Sequence, residues 1–383
     1  MIPVNDTLPN RLQQWQKGEK PGPWNMMLFP TNRCNLRCIM CWRNHEATRG
    51  LPVLPTHEIP IERRNNPHKE LSDERLLGIV DEAAALGCRD WLIQGGGEPL
   101  LRASLVLRIC ERIRSHGMNG KLITNATLLE PEHMRAFVEM GWDFIACSLD
   151  GPTAAINDPL RGAGSFDAVT AAVAQCAALR REMNAKRPLL QLLTTVTRHN
   201  HDVLPAMVEL ARRLGCDSVQ AGLTVVHYGL EHLVTRKQHE ALPLLIEKAN
   251  RRARELGIEA DYDHIARNPW GSIFLRKPWA CDTSPPPGME HIPCFCPWYS
   301  IAVFADGRVA QCSMNWQEKA PSVMNESLKE VWEGEYFDGL RERMAGDIPL
   351  ECCHMCPSIL DARSPSMRIM DEAYLDGTIF ECG

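Results

Sequence analysis

Cys34, Cys38 and Cys41 stand in the run CNLRCIMC, directly after a short apolar segment. Three thiolates at this spacing on one loop can hold three irons of a 4Fe-4S cube and leave the fourth iron without a protein ligand. An iron with an open position is a place for chemistry. The competing reading is a structural zinc site, which closes its shell with four ligands and would need a residue such as His45 as the fourth. A second concentration of cysteines comes late, at Cys281, Cys294, Cys296, Cys312, Cys352, Cys353, Cys356 and Cys382. Four of these thiolates could satisfy tetrahedral zinc or iron. Cys88, Cys110, Cys176 and Cys216 fall in or beside apolar segments and read as small core residues, as does Cys147 but for its place next to Ser148.

The elements that must position the first loop follow a repeated phrase over residues 26–225: an amphipathic helix, a glycine near its end, then a short strand. In residues 72–86 Ser72 is placed to cap the helix, Asp73 and Glu74 sit at its positive end, and Leu76, Ile79, Val80 and Ala83 share a face. Gly87 stops it. Strands are predicted at MMLF (26–29), DWLIQ (90–94), KLIT (121–124), FIACSL (144–149), LLQLLTTVT (189–197) and SVQAGL (218–223). Strands alternating with helical crossovers give an α/β fold, here an incomplete (β/α)6 TIM-like barrel.

Parallel α/β architectures gather ligands at the carboxyl ends of their strands. Those ends carry the cysteine triplet, GGGEP (95–99), TNAT (124–127), SLDG (148–151) and TRHN (197–200). A break is expected after a helix at 237–256. YSIAVFADGRVAQC then reads as a β-hairpin turned at Asp306 and Gly307, a pair suited to a type I′ turn. One helix over 327–345 leads into ECCHMC. The expected divisions are an N-terminal extension (1–25), the partial barrel (26–235), a connecting segment (236–290), a small hairpin-plus-helix domain (291–360) and a tail (361–383).

A chain of 383 residues buries a large core without disulfide staples. Its net charge of −6 and lack of a basic block argue against nucleic acid as a partner. The N-terminus lacks the pattern of a signal peptide and no apolar run is long enough to span a bilayer. A cytoplasmic location is expected, and there 16 cysteines suggest metal or redox work.

With CNLRCIMC, GGGEP and SLDG in this order, the chain resembles the radical S-adenosylmethionine (SAM) superfamily over about residues 26–225. The resemblance implies a 4Fe-4S cluster on Cys34, Cys38 and Cys41 whose open iron chelates SAM, and cleavage of SAM to a 5′-deoxyadenosyl radical. It also implies that Gly95, Gly96, Gly97 and Glu98 lie beside the methionine amino group, which suits glycines that admit a close ligand and a carboxylate that can orient an ammonium. Ser148 and Arg161 look like the family's contacts to ribose hydroxyls or the methionine carboxylate, with Asn125 a further polar contact at a strand end. The residue before the third cysteine, often aromatic in this family, is Met40 here.

The C-terminal region resembles the SPASM and twitch extensions of the same superfamily. That implies one auxiliary 4Fe-4S cluster on Cys296, Cys312, Cys353 and Cys356, with Cys281, Cys294, Cys352 and Cys382 spare. The one-cluster pattern resembles that of aminocyclitol dehydrogenases and implies dehydrogenation, the short region of 25 residues before the barrel favours a small polyol, sugar or aminocyclitol as substrate, and the family implies a flavodoxin or ferredoxin as electron donor. Alternatives are sugar epimerisation, with Cys147 as a hydrogen donor, and modification of a peptide. A zinc-binding interaction scaffold is the non-enzymatic alternative.

Overall fold

The computed structural model describes residues 6–41, 70–224, 232, 234–262, 265, 294–313, 315 and 320–346. Seven parallel strands follow one another across the sheet: β1 (Asn25–Leu28), β2 (Asp90–Ile93), β3 (Asn119–Thr124), β4 (Phe144–Ser148), β5 (Leu189–Val196), β6 (Ser218–Leu223) and β7 (Glu259–Asp261). Crossovers through α2 (Asp73–Ala85), α3 (Ala103–Ser115), α4 (Pro131–Glu139), α5 (Ala154–Arg161), α6 (Ser165–Glu182), α7 (Leu204–Leu214) and α8 (Arg236–Leu256) connect the parallel strands, and the right-handed rule for such connections puts their helices on one face of the sheet. Among the described residues the sheet does not close, so the expected partial barrel is the architecture observed.

Strand alternation decides what each face carries. Met26, Leu28, Trp91, Ile93, Leu122, Ile145 and Leu192 are buried on the helix side. A Cβ on Gly120 would lie 2.0 Å from the Trp142 ring, so that helix-side ring packs directly on the β3 backbone. Each large apolar side chain buried here contributes about 1.5–3 kcal/mol. The opposite, concave face carries Lys121, Phe144, Ser148, Gln191 and Gln220, mostly half-buried.

The cap residues act as their types dictate. Ser72 accepts from Arg75 N at 3.1 Å, and Leu76, Ile79, Val80 and Ala83 of α2 are buried as their spacing requires. Gly87 follows with φ +80°, a conformation open to glycine.

Three local expectations are corrected. The helix over 236–256 does not end the repeat, because Glu259–Asp261 pairs parallel with β6 and adds a seventh parallel strand. The hairpin between β8 (Ser300–Val303) and β9 (Val309–Ala310) is not turned by a type I′ pair: Gly307 has φ +86°, but Asp306 does not have positive φ. The single helix expected over 327–345 breaks at Gly334 into α10 (Leu328–Glu333) and α11 (Glu335–Ala345), where a Cβ would meet Glu330 O at 2.7 Å.

The C-terminal hairpin joins the barrel sheet directly. β8 pairs parallel with β1, and β9 pairs antiparallel with β8, giving the order β7-β6-β5-β4-β3-β2-β1-β8-β9. The N-terminal helix α1 (Leu8–Gln16) fastens this edge, with Trp15 Nε1 donating to Trp298 O at 3.0 Å and the Arg341 guanidinium stacked on the Trp15, Trp332 and Phe337 rings.

Candidate functional site

The loop carrying Cys34, Cys38 and Cys41 leaves the carboxyl end of β1 and is held from three sides. The glycine turn after β2 holds its first arm: Gly97 N donates to Thr31 O at 3.0 Å and Glu98 N to Arg33 O at 2.7 Å. A Cβ on Gly97 would lie 1.8 Å from Arg33 O, so this approach of two backbones admits only glycine. On the second side, Asn125 Nδ2 donates to Asn35 Oδ1 at 2.9 Å and Asn35 Nδ2 to Thr127 Oγ1 at 2.8 Å. On the third, Ile39 N donates to Leu160 O at 2.9 Å and the Cys38 thiol to Arg161 O at 3.8 Å.

Further support comes from residues without a motif of their own. Glu70 Oε1 accepts from Thr31 Oγ1 at 2.5 Å and Asn32 N at 2.9 Å. Arg102 donates to Pro30 O at 2.7 Å and to Asp73 Oδ1 at 2.6 Å.

Burial pushes the Cys38 thiol up to about 11; the Arg161 guanidinium opposes this, while Cys41, Asp150 and Cys34 add to it. Thiolate–iron bonding would remove that proton. Among the described residues, no three His, Cys, Asp or Glu side chains converge on a single ion. A cube takes one thiolate at each of separate irons, so it does not need that convergence.

Two expected contacts have other partners. The Glu98 carboxylate is 2% exposed and faces inward. Its Oε1 accepts from Leu100 N and Thr124 Oγ1, at 3.0 and 2.5 Å, and its Oε2 accepts from Asn125 N at 2.7 Å. It braces β2 against β3, and burial raises its pKa above the usual carboxylate range. Arg161 ends α5 beside Cys38, and its Nη2 donates to Asp150 Oδ1 at 3.0 Å while Nε lies 2.6 Å from Oδ2, off the hydrogen-bond axis. Asp150 also accepts from Thr195 N at 2.7 Å, so the buried pair is tied to β5.

Cys147, the candidate hydrogen donor for epimerisation, sits on the helix side of the sheet. It is 1% exposed, and adjacent strand residues point to opposite faces, so Ser148 looks into the barrel and Cys147 into the helices. Burial raises its thiol well above the usual range, and Cys216 and Cys176 on the helix side are its neighbours. Deeper in the concave face, Lys121 Nζ donates to Gln191 Oε1 at 2.8 Å and Gln220 Oε1 at 3.4 Å and lies 4.8 Å above the Phe144 ring. Burial lowers its pKa to about 8.

The described late cysteines, Cys294, Cys296 and Cys312, lie at the other end of the sheet. Cys296 opens the single turn α9 (Cys296–Tyr299), which runs directly into β8. Its Sγ lies 3.6 Å from the Tyr299 hydroxyl. Burial first, then Cys296, Cys294 and Cys312, raise the Tyr299 phenol well above its ordinary range. Cys281, Cys352, Cys353, Cys356 and Cys382 lie outside the described residues. The signal for Tyr299 was present in CPWY, since residues three apart on a helical turn meet.

A partial parallel barrel with a cysteine triplet at its carboxyl rim, and more cysteines on an added hairpin, defines an iron-sulfur enzyme scaffold. Residues 28–183 match the radical SAM superfamily model and residues 294–357 match the SPASM iron-sulfur cluster-binding domain. The chain thus carries a radical SAM domain followed by a SPASM iron-sulfur domain. The first domain implies a 4Fe-4S cluster and SAM, and the second implies auxiliary iron-sulfur clusters.

The chain is 28% identical to the PqqA peptide cyclase of Ruegeria pomeroyi, over 88% of its own length and 81% of the relative's. It is 31% identical to the Fe-coproporphyrin III synthase of Methanosarcina barkeri over 53% of its length, but spans only 44% of that relative. Among solved structures, Streptococcus suis SuiB bound to precursor peptide SuiA superposes with a TM-score of 0.61, at 13% identity, covering 86% of this chain and 69% of that one. At that identity the likeness establishes the fold. Among the described residues no helix is long and apolar enough to cross a membrane.

Proposed function

We propose that the chain modifies a peptide substrate by hydrogen abstraction at the carboxyl rim of its partial barrel. The observation that carries this is the reach of the likeness to PqqA peptide cyclase, which spans 88% of the chain. The small polyol, sugar or aminocyclitol expected from the sequence has no support among these relatives. When bound, the 4Fe-4S cluster and SAM supply a 5′-deoxyadenosyl radical, and the protein supplies placement and exclusion of water.

The residues present suit that task. Cys34, Cys38 and Cys41 are the thiols for three irons, on a loop that backbone bonds from the glycine turn hold in place. Gly95, Gly96 and Gly97 leave backbone close to the rim for the methionine ammonium, while Glu98 positions Thr124 and Asn125. Arg161, fixed by Asp150, keeps a cation beside Cys38, and Ser148 offers a hydroxyl from the concave face. Cys296, Cys312, Cys353 and Cys356 remain the proposed ligands of an auxiliary cluster, with a flavodoxin or ferredoxin as donor.

The test compares anaerobically prepared wild type with the Cys34→Ala, Cys38→Ala, Cys41→Ala triple variant for iron, sulfide and 5′-deoxyadenosine. A precursor peptide encoded beside the gene is then followed by mass. Radical formation and a mass change in that peptide, both absent from the variant, support the reading. Radical formation with an unmodified peptide, and turnover of iron coproporphyrin instead, would favour the second reading raised by the 31%-identical synthase.

A further inference from the structure

The Tyr299 hydroxyl belongs to a residue only 4% exposed, and its hydrogen-bond partner is the Cys296 sulfur at 3.6 Å. A buried phenol without a competent acceptor costs about 1–3 kcal/mol. A neutral thiol is a weak acceptor and a thiolate is a strong one. The backbone holds the ring in place: Tyr299 O accepts from Trp24 N at 2.8 Å, and Tyr299 is followed at once by β8. Cys294 stands two residues before Cys296 and Cys312 two residues after β9, the strand paired with β8, and sulfur donors suit iron and not a hard cation.

We propose that Tyr299 donates its O–H to the Cys296 thiolate of the auxiliary cluster and thereby sets that cluster's reduction potential. This rests on the auxiliary-cluster reading given above. A donor to a ligating sulfur stabilises the more negative, reduced cluster, so its loss lowers the potential. Tyr299 acts through Cys296 and is a positioning residue.

The experiment uses full-length protein with Cys34, Cys38 and Cys41 changed to Ala, so that only auxiliary iron remains. A redox titration followed by electron paramagnetic resonance then compares it with and without Tyr299→Phe. The expected result is unchanged iron content and a reduction equilibrium about tenfold less favourable, equal to about 59 mV for one electron. An unchanged midpoint at full iron content overturns the tyrosine proposal. An iron-free triple variant overturns the auxiliary reading beneath it. Should the phenylalanine protein lose its cluster, site-specific 3-fluorotyrosine at position 299, a stronger donor, decides: a raised midpoint supports the proposal and an unmoved one overturns it.

Discussion

Replacing Gly97 with alanine should cost the protein the cluster of its first loop while sparing the C-terminal iron. The added Cβ would sit 1.8 Å from Arg33 O, 2.4 Å from Arg33 C and 2.8 Å from Arg33 N, all backbone atoms with no side-chain freedom to yield. Reaching an ordinary carbon–oxygen contact requires the two backbones to part by more than about 1 Å. That separation breaks the bonds from Gly97 N to Thr31 O and from Glu98 N to Arg33 O. Two backbone bonds opened in a partly buried site, at about 1–3 kcal/mol each, sum to about 2–6 kcal/mol. Because Arg33 immediately precedes Cys34, the displacement passes straight to the first of the proposed ligands. The assay is iron and sulfide content with 5′-deoxyadenosine formation, beside thermal unfolding. Gly78→Ala serves as the control, since its Cβ would meet nothing closer than the Arg75 Nη1 at 3.6 Å and alanine favours a helix interior. Full iron content and wild-type radical formation in the Gly97 variant would refute the reasoning.

Two further outcomes follow from buried groups. The Lys121 pKa of about 8 lies below its ordinary 10.5, so the unfolded chain holds that proton more tightly. Stability is therefore reduced at pH values below about 8 and rises between pH 8 and 10.5, by up to about 3 kcal/mol at 1.36 kcal/mol per unit. Urea unfolding of Lys121→Met across this range should show a flatter pH dependence than wild type, and parallel curves would count against it. Cys147→Ala should leave 5′-deoxyadenosine formation intact and lower stability by about 1 kcal/mol, read by the unfolding midpoint; loss of turnover in a folded variant would give this thiol a part in the reaction.

Local chemistry was legible and long-range pairing was not. Ser72, the apolar face of α2 and Gly87 spell out a helix within a few residues, and each does its expected work. The loop after β2 reads as a close backbone approach, and Gly97 makes one. β7 escaped notice because EAD is three residues of mostly polar character, and only its pairing with β6 makes it a strand. The junction of β8 with β1 joins residues about 275 apart, and no local pattern reports a partner at that range. Cys147 was open to a better reading, because period-two alternation sets it opposite Ser148 whatever the surroundings. Glu98 was not, since the donors that turn it inward come from the separate strand end at Thr124 and Asn125.

The pairing of β8 with β1 fixes a distance. The triplet loop leaves the carboxyl end of β1, whereas Cys296 and Tyr299 lie just before the amino end of β8, and the strands run side by side in the same direction. Four residues at about 3.3 Å each set the two groups of thiols on the order of 13 Å apart or more along one hydrogen-bonded ladder. Such a ladder works as a ruler: a molecule held at the rim cannot bridge to Cys296 unless it spans the sheet. If both groups of thiols hold clusters as proposed, commerce between the two ends would be carried by electrons across that gap, and the length of β1 would belong to the redox design as much as the cysteines do.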